Sequence, residues 1–273
     1  MDGVQAERGI SDGVSAAPTP GLRGFVHSYD GYRLIGFEPG VHLGLPSPYL
    51  TVVLTLDGPL TVNRASGSGS FETLAGGISM AAVSLPHNGN QHGVQISLTP
   101  LGARTLLGMP TAELGDQVVD LYDVIGSDAT ELHERISDEP TWSGRFAICD
   151  EVLARRSADI EVEPDVRRAW GRLVSDGAAR VSEVAEEIGW SRRRLATRFW
   201  AEYGVSPKDA VRLGRFHEAH RLLRHPRIPT LADIAGSCGY YDQAHMAKDW
   251  RDMAGMAPSE WRRSDALAVA QDS

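Results

Sequence analysis

Four guanidinium groups fall within seven residues of this 273-residue chain: Arg192, Arg193, Arg194 and Arg198, in the stretch SRRRLATRFW. A guanidinium stays charged and presents paired N–H donors in one plane, which meets phosphate oxygens, or O6 and N7 of guanine, two bonds at a time. Ser191, Ala196, Thr197 and Trp200 share the stretch and whatever surface it contacts. Catalytic groupings of similar density are missing from the sequence. It has no Gly-x-Ser-x-Gly elbow, phosphate-binding glycine loop or dinucleotide fingerprint, and Gly76-Gly77 reads as a turn. The chemistry on offer is recognition of an anionic partner, so no catalytic residue is expected.

A helical frame positions the arginines. Upstream, VSEVAEEIGW sets Val184, Ala185 and Ile188 at helical spacing on one face, with Ser182 placed to cap the first turn and Glu183 and Glu186 near the positive end of the dipole. Gly189 stops that helix. Ser191 can accept an N–H at the start of the next, whose Leu195, Phe199 and Tyr203 recur toward a core. Helix, turn and helix is the profile of a helix-turn-helix, whose second helix enters a major groove. The profile occurs twice. Leu231, Ile234 and Ala235 repeat the apolar face, Thr230 and Asp233 form a capping-box-like pair, and Gly239 repeats the break. YYDQAHMAKDWRDMAG then supplies a second recognition helix, with Gln243, Ala244, His245 and Lys248 at the matching positions, Asp242 just before them, and Met246, Trp250 and Met253 near core spacing. Aligning Gly189 on Gly239 sets Phe199 opposite Asp249, which makes the repeat approximate. SPKDAVRLGRFHEAHRLLRHP joins the units, with Ser206 as cap, Pro207 at the first helical position, and Val211, Leu213, Phe216, Ala219, Leu222 and Leu223 as its buried face.

Residues 181–263 resemble the DNA-binding domain of AraC/XylS-type transcription regulators, down to a Gly-aromatic-x-Asp-Gln-x-His stretch (Gly239, Tyr240, Asp242, Gln243, His245) and a closing PSEWRR. Ala257 stands where that family often has a serine cap, and Met246 and Trp250 replace its commoner phenylalanines, all core-compatible swaps. The resemblance implies double-stranded DNA as partner. The contacts it implies are Ser191, Arg192, Arg193, Arg194, Ala196, Thr197, Arg198 and Trp200 in the first unit, and Asp242, Gln243, Ala244, His245 and Lys248 in the second. It also implies contact with RNA polymerase. Recognition helices about 34 Å apart would meet successive major grooves, so that one protomer covers two turns.

Charge is segregated along the chain. Residues 1–163 hold nine arginines, no lysine and 21 acidic residues, and 164–273 hold 18 basic and 15 acidic residues, giving −12 and +3 within a total of −9. A +3 domain binds nucleic acid through local placement, and the acidic half could shield the basic helix faces in one state and release them in another. That acidity favours a cationic or neutral effector. No apolar run reaches the roughly 18 residues of a membrane helix and the N-terminus lacks a basic stretch followed by a hydrophobic segment, so a cytoplasmic protein is expected. Cys149 and Cys238 sit among apolar neighbours as reduced structural thiols.

Residues 1–20 are Gly, Ser, Ala, Pro and acid rich without periodicity and read as a disordered tail, as do 265–273. RLIGF, YLTVVLTL, LTVNR, GISMAAVSL and GVQISL read as short strands, with Gly67 to Ser70 as a flexible tip between two of them. After Pro100 the period is helical, with VVDL as a short strand, an amphipathic helix over Arg145–Arg156 and another over Asp165–Val174, and SADIEVEP as linker. The fold class is α+β. A sensing domain over 21–158, with a possible role in dimerisation, precedes a helical domain over 165–264 in which two helix-turn-helix motifs share one long helix. This N-terminal half is similar to the sensor halves of one branch of AraC-type regulators over LPSPYLTVVLTL and QHGVQISLTPLGARTLLGMP, which implies a cupin-like β-barrel followed by helices. Homodimers form through this half in many relatives, and the Arg145–Arg156 helix either serves that purpose or packs internally.

A barrel mouth takes small ligands, and Tyr29, Tyr32, Phe37, His42, Tyr49 and His87 are the candidate lining residues. Metal-binding cupins place two histidines one residue apart with a glutamate shortly after. His27, His42, His87 and His92 do not reproduce that spacing, so neither metal nor cofactor is expected. A sequence-specific regulator controlled by a small molecule is the leading reading. The alternatives are a cupin-type enzyme, which a bound catalytic metal would favour, and an adaptor whose helical module no longer touches DNA, against which Arg192, Arg193 and Arg198 stand.

Overall fold

The computed structural model describes residues 9–158, 162–225 and 229–264. The expected tails over 1–8 and 265–273 and the middle of the expected linker lie outside these residues. Ten strands come first: β1 (Ile10–Ala16), β2 (Val26–Ile35), β3 (Gly40–Gly44), β4 (Leu50–Thr55), β5 (Leu60–Arg64), β6 (Gly67–Phe71), β7 (Thr73–Gly76), β8 (Val83–His87), β9 (Gln91–Leu98) and, after the first helices, β10 (Val118–Asp120). They form two antiparallel sheets, of order β1-β2-β9-β4-β7-β10 and β3-β8-β5-β6, and among the described residues no ladder closes them into one ring. Two expectations change here. Ile10–Ala16 is an edge strand, not part of a disordered tail, because β2 supplies its ladder from Ile10↔Ile35 to Ala16↔Tyr29. Gly67–Phe71 pairs with β5 instead of forming a flexible tip, which moves the turn to Ala65 and Ser66.

Alternation along the central strands separates two environments. Leu50, Val52, Leu54, Val94, Ile96 and Leu98 are buried in the core that continues into the helices. Thr51, Val53, Gln95 and Ser97 face the other way, toward the four-stranded sheet. The helices on the core side are α1 (Pro100–Gly102), α2 (Thr111–Leu114), α3 (Leu121–Ile125), α4 (Ser127–Asp138) and α5 (Trp142–Arg155), with a π-helical turn over Ala103–Leu107. The expected amphipathic helix is α5. It packs internally: Phe146 stacks on Tyr29 at 5.6 Å, and Asp150 accepts a bond from the Tyr29 hydroxyl at 2.9 Å.

The C-terminal module consists of α6 (Pro164–Ser175), α7 (Val181–Glu187), α8 (Arg192–Tyr203), α9 (Pro207–Leu223), α10 (Leu231–Ser237), α11 (Gln243–Ala254) and α12 (Pro258–Ser264). Local chemistry fixes most of its boundaries. Ser191, Ser206 and Asp242 accept the backbone N–H of Arg194, Asp209 and His245, and Thr230 with Asp233 closes a capping box. Ser182 is not the cap of α7, because that helix begins two residues earlier than a Ser182 cap would require, with Arg180 at its N-cap. The central helices cross closely: a Cβ at Gly214 of α9 would overlap the Val174 carbonyl of α6.

Candidate nucleic-acid interface and interdomain cavity

Both recognition helices present an open outer face. In α8, Ser191, Arg192, Arg193, Arg194, Ala196, Thr197, Arg198 and Trp200 are all exposed, whereas Leu195, Phe199 and Tyr203 point into the core. In α11, Asp242, Gln243, Ala244 and Lys248 are exposed and His245 is half-buried. The acidic N-terminal domain therefore does not cover these faces in this structure. Capping residues Ser191 and Asp242 put the buried positions in register, Leu195 with Met246 and Phe199 with Trp250, and the closing glycines Gly204 and Gly255 also coincide. The sequence alignment on Gly189 and Gly239 misses this by one residue, because the second turn is longer by one.

The arginines are not equivalent. Arg194 lies over the Trp190 ring at 4.2 Å and 3.6 Å from Glu163, and Arg198 lies 3.7 Å from the same carboxylate. Arg192 and Arg193, at the start of the helix, have no ion pair among the described residues. Thr197 turns its hydroxyl back to the Arg193 carbonyl at 3.0 Å. His245 is drawn inward, since its Nδ1 accepts from the Tyr241 N–H at 3.3 Å and its ring meets Tyr240 edge-on. Asp242 acts as a cap, so its carboxylate is engaged with backbone.

Residues 184–264 match the family described as a helix-turn-helix domain. An AraC-like protein of Streptomyces lividans is 34% identical over 87 residues, covering 32% of this chain and 28% of its own length. The transcriptional activator RhaR of Pectobacterium carotovorum is 31% identical over 84 residues, covering 31% of this chain and 29% of its own length. The C-terminal module is an AraC-type helix-turn-helix domain. The chain spans less than a third of the length of these curated relatives. The solved structure of ToxT from Vibrio cholerae has the same overall fold, with a TM-score of 0.54 and 14% identity over 86% of this chain and 97% of that one. Other ToxT structures carry an unsaturated fatty acid and (E)-4-(8-methylnaphthalen-1-yl)but-3-enoic acid.

The AraC-type domain also closes a cavity of about 760 Å³. Its floor is the inner face of the six-stranded sheet, which carries Ser28, Asp30, Thr51, Gln95 and Ser97 where a packed core would carry aliphatic groups. Val53, Leu60, Val62, Leu74, Val83 and Leu85 make an apolar wall, and α9 adds His217, His220 and Arg221 at one end, with Arg224 just past the helix. Of the six lining residues expected from sequence, Tyr32, His42 and Tyr49 line this cavity. Tyr29, Phe37 and His87 do not: Tyr29 is fully buried against α5, and His87 accepts the Gly89 N–H at 3.2 Å. The α9 wall could not be found from sequence because tertiary docking brings it there. Its only local signal is the basic, histidine-rich run HEAHRLLRH.

Polar and ring contacts between the domains are found at three places among the described residues, beside the packing of α2 on α8. Arg104 bonds Glu202 through two N–H donors at 2.7 Å each, His27 stacks on Tyr49 at 4.0 Å with His217 edge-on at 5.4 Å, and the Ala82 N–H donates to the Met253 carbonyl at 2.8 Å. Burial, then proximity to His27, pushes the His217 imidazole down from 6.5 to about 4, with Glu218 opposing the shift and Arg221 adding a smaller push in the same direction, and burial lowers His27 as well. Because the folded value is depressed, the docked state holds its full advantage above the unfolded value near 6.5 and loses it as pH falls toward 4. Denaturation of the full chain followed between pH 7 and 4 should show stability falling across that window. His217→Phe should flatten the fall, and an unchanged slope in that variant would place the sensitivity elsewhere.

Proposed function

We propose that this chain is a sequence-specific DNA-binding transcription regulator that inserts α8 and α11 into successive major grooves and is controlled by a small molecule in the interdomain cavity. Two capped recognition helices with open outer faces, fixed on one connector helix, carry this reading. The named contact residues stand within it as proposals: Arg192 and Arg193 with Ala196 and Thr197 in α8, and Gln243, Ala244 and Lys248 in α11. Arg194 and Arg198 serve phosphates after leaving Glu163, while Ser191, Asp242 and His245 hold helix ends in place. Contact with RNA polymerase and assembly as a homodimer belong to the same proposal.

The effector we infer is an organic acid with an apolar body. The −12 charge of the N-terminal half suggested a cationic or neutral one, but cavity charge is set by what lines it. Asp30 is bonded by Ser15 and Ser28, at 2.5 and 2.9 Å, and the α9 end carries Arg221, paired with Glu218 at 2.6 Å, together with Arg224 and three histidines. The two acids bound to ToxT have this chemistry. Footprinting the full chain as a monomer on its own promoter region should protect two helical turns on one face. Protection of one turn would leave α11 idle and remove the two-groove reading. In the same preparation, a medium-chain fatty acid should raise the melting temperature, whereas its alcohol and amine analogues should not.

A further inference from the structure

The second recognition helix is held in a way the first is not. Asp249, on the inner side of α11, is the only buried carboxylate among the described residues, at 7% exposure. Its Oδ1 accepts from Arg212 of α9 through Nε at 3.2 Å and Nη2 at 3.0 Å. Asp209 on α9 and Asp252 on α11 each stand 3.8 Å from the same guanidinium. Position for position, Asp249 corresponds to Arg198 in the first unit, which is exposed.

Stability alone does not account for such a pair. Withdrawing two charges from water costs about as much as their attraction returns, and an apolar pair of similar volume often does as well. Here the Asp249 Oδ2 is also buried without a hydrogen-bond partner among the described residues, a further cost. What a guanidinium fork supplies that apolar packing does not is direction. The core side of α11 is otherwise apolar: Trp250 packs on Phe216 at 4.6 Å and on Trp261 at 5.6 Å, and Met246 and Met253 are buried beside it. Apolar contacts of this kind tolerate rotation of a helix about its axis, and a small roll displaces the exposed side-chain tips, which lie farthest from that axis. Lys248 is the residue next to Asp249, and Gln243 and Ala244 lie on the exposed side of the same helix.

We propose that the Arg212–Asp249 pair is a rotational lock that aims Gln243, Ala244 and Lys248 at the bases, making Arg212 and Asp249 positioning residues for the second half-site. The proposal rests on the DNA-binding reading above. Its test is selection of binding sites from a randomised duplex library by the full chain, wild type against Asp249→Asn and Arg212→Gln, with circular dichroism confirming that each variant is folded. Wild type should show two blocks of base preference about one helical turn apart. Both variants should keep the block under α8 and lose most of the preference under α11, with total affinity falling about tenfold. Arg212→Lys, which keeps the charge without the fork, should lose nearly as much preference. Equal weakening of both blocks, or unchanged preference in a folded variant, would overturn the lock. A wild-type profile with one block also overturns it, since α11 would have nothing to aim at, and a profile with none removes the DNA-binding reading itself.

Discussion

Arg193→Ala is expected to weaken binding at the preferred operator by about 1–3 kcal/mol, roughly ten- to a hundredfold in Kd, and to relax preference at one base position. Arg193 is singled out by its neighbours. Arg194 is stacked on Trp190 and shares Glu163 with Arg198, so both are aimed toward the α6 end of the module. Arg192 and Arg193 sit in the first turn of α8, the part of a recognition helix that reaches base edges, and both are exposed. Binding titrations against duplexes differing at single positions would separate the roles. A base contact loses discrimination at one position and leaves the others, whereas a phosphate contact weakens all sequences alike and reduces the salt slope by about one. Uniform weakening would assign Arg193 to the backbone. Arg193→Lys should recover affinity better than specificity, because a point charge replaces the fork.

The helical module was legible because its signals are local. Ser206, Pro207, Thr230 and Asp233 act within one turn of themselves, and each does what its type and position imply. The positive-φ glycines Gly189 and Gly239 likewise end their helices where expected. What escaped depends on partners far along the chain. ISDGVSA has little β-propensity and becomes β1 only because β2 offers it a ladder. Tyr29 and Tyr49 are both tyrosines in strand-like sequence, yet one is buried against Asp150 of α5 and the other lines the cavity beside His217. Period-2 alternation gives two faces without saying which meets helices and which meets a second sheet. The lock at Asp249 was hidden for a different reason: a sequence alignment one residue out set it opposite Phe199, where it looked like a flaw in the repeat.

Phe199→Ala is expected to cost the AraC-type domain about 3–5 kcal/mol of stability, the largest single effect in this set. Phe199 is fully buried, with ring centroids 5.6 Å from Trp170 and 4.7 Å from Tyr203, and Trp170 and Tyr203 are themselves 4.3 Å apart. Removing the central ring leaves a void between α6 and α8 that the other two cannot fill, since the Tyr203 hydroxyl is tied to the Val166 carbonyl at 3.2 Å. Phe199→Leu keeps most of the volume and should cost under about 1.5 kcal/mol. Denaturant unfolding followed by tryptophan fluorescence reports directly, because Trp170 lies in the cluster. A loss near 1 kcal/mol for the alanine variant would mean instead that α6 and α8 collapse onto the void. The two substitutions should also separate cleanly. At a temperature where the variant remains folded, Phe199→Ala should lower the melting point while leaving operator affinity close to wild type, because the outer face of α8 is untouched. Arg193→Ala should do the reverse, since its side chain supports nothing in the fold and meets only what docks on it.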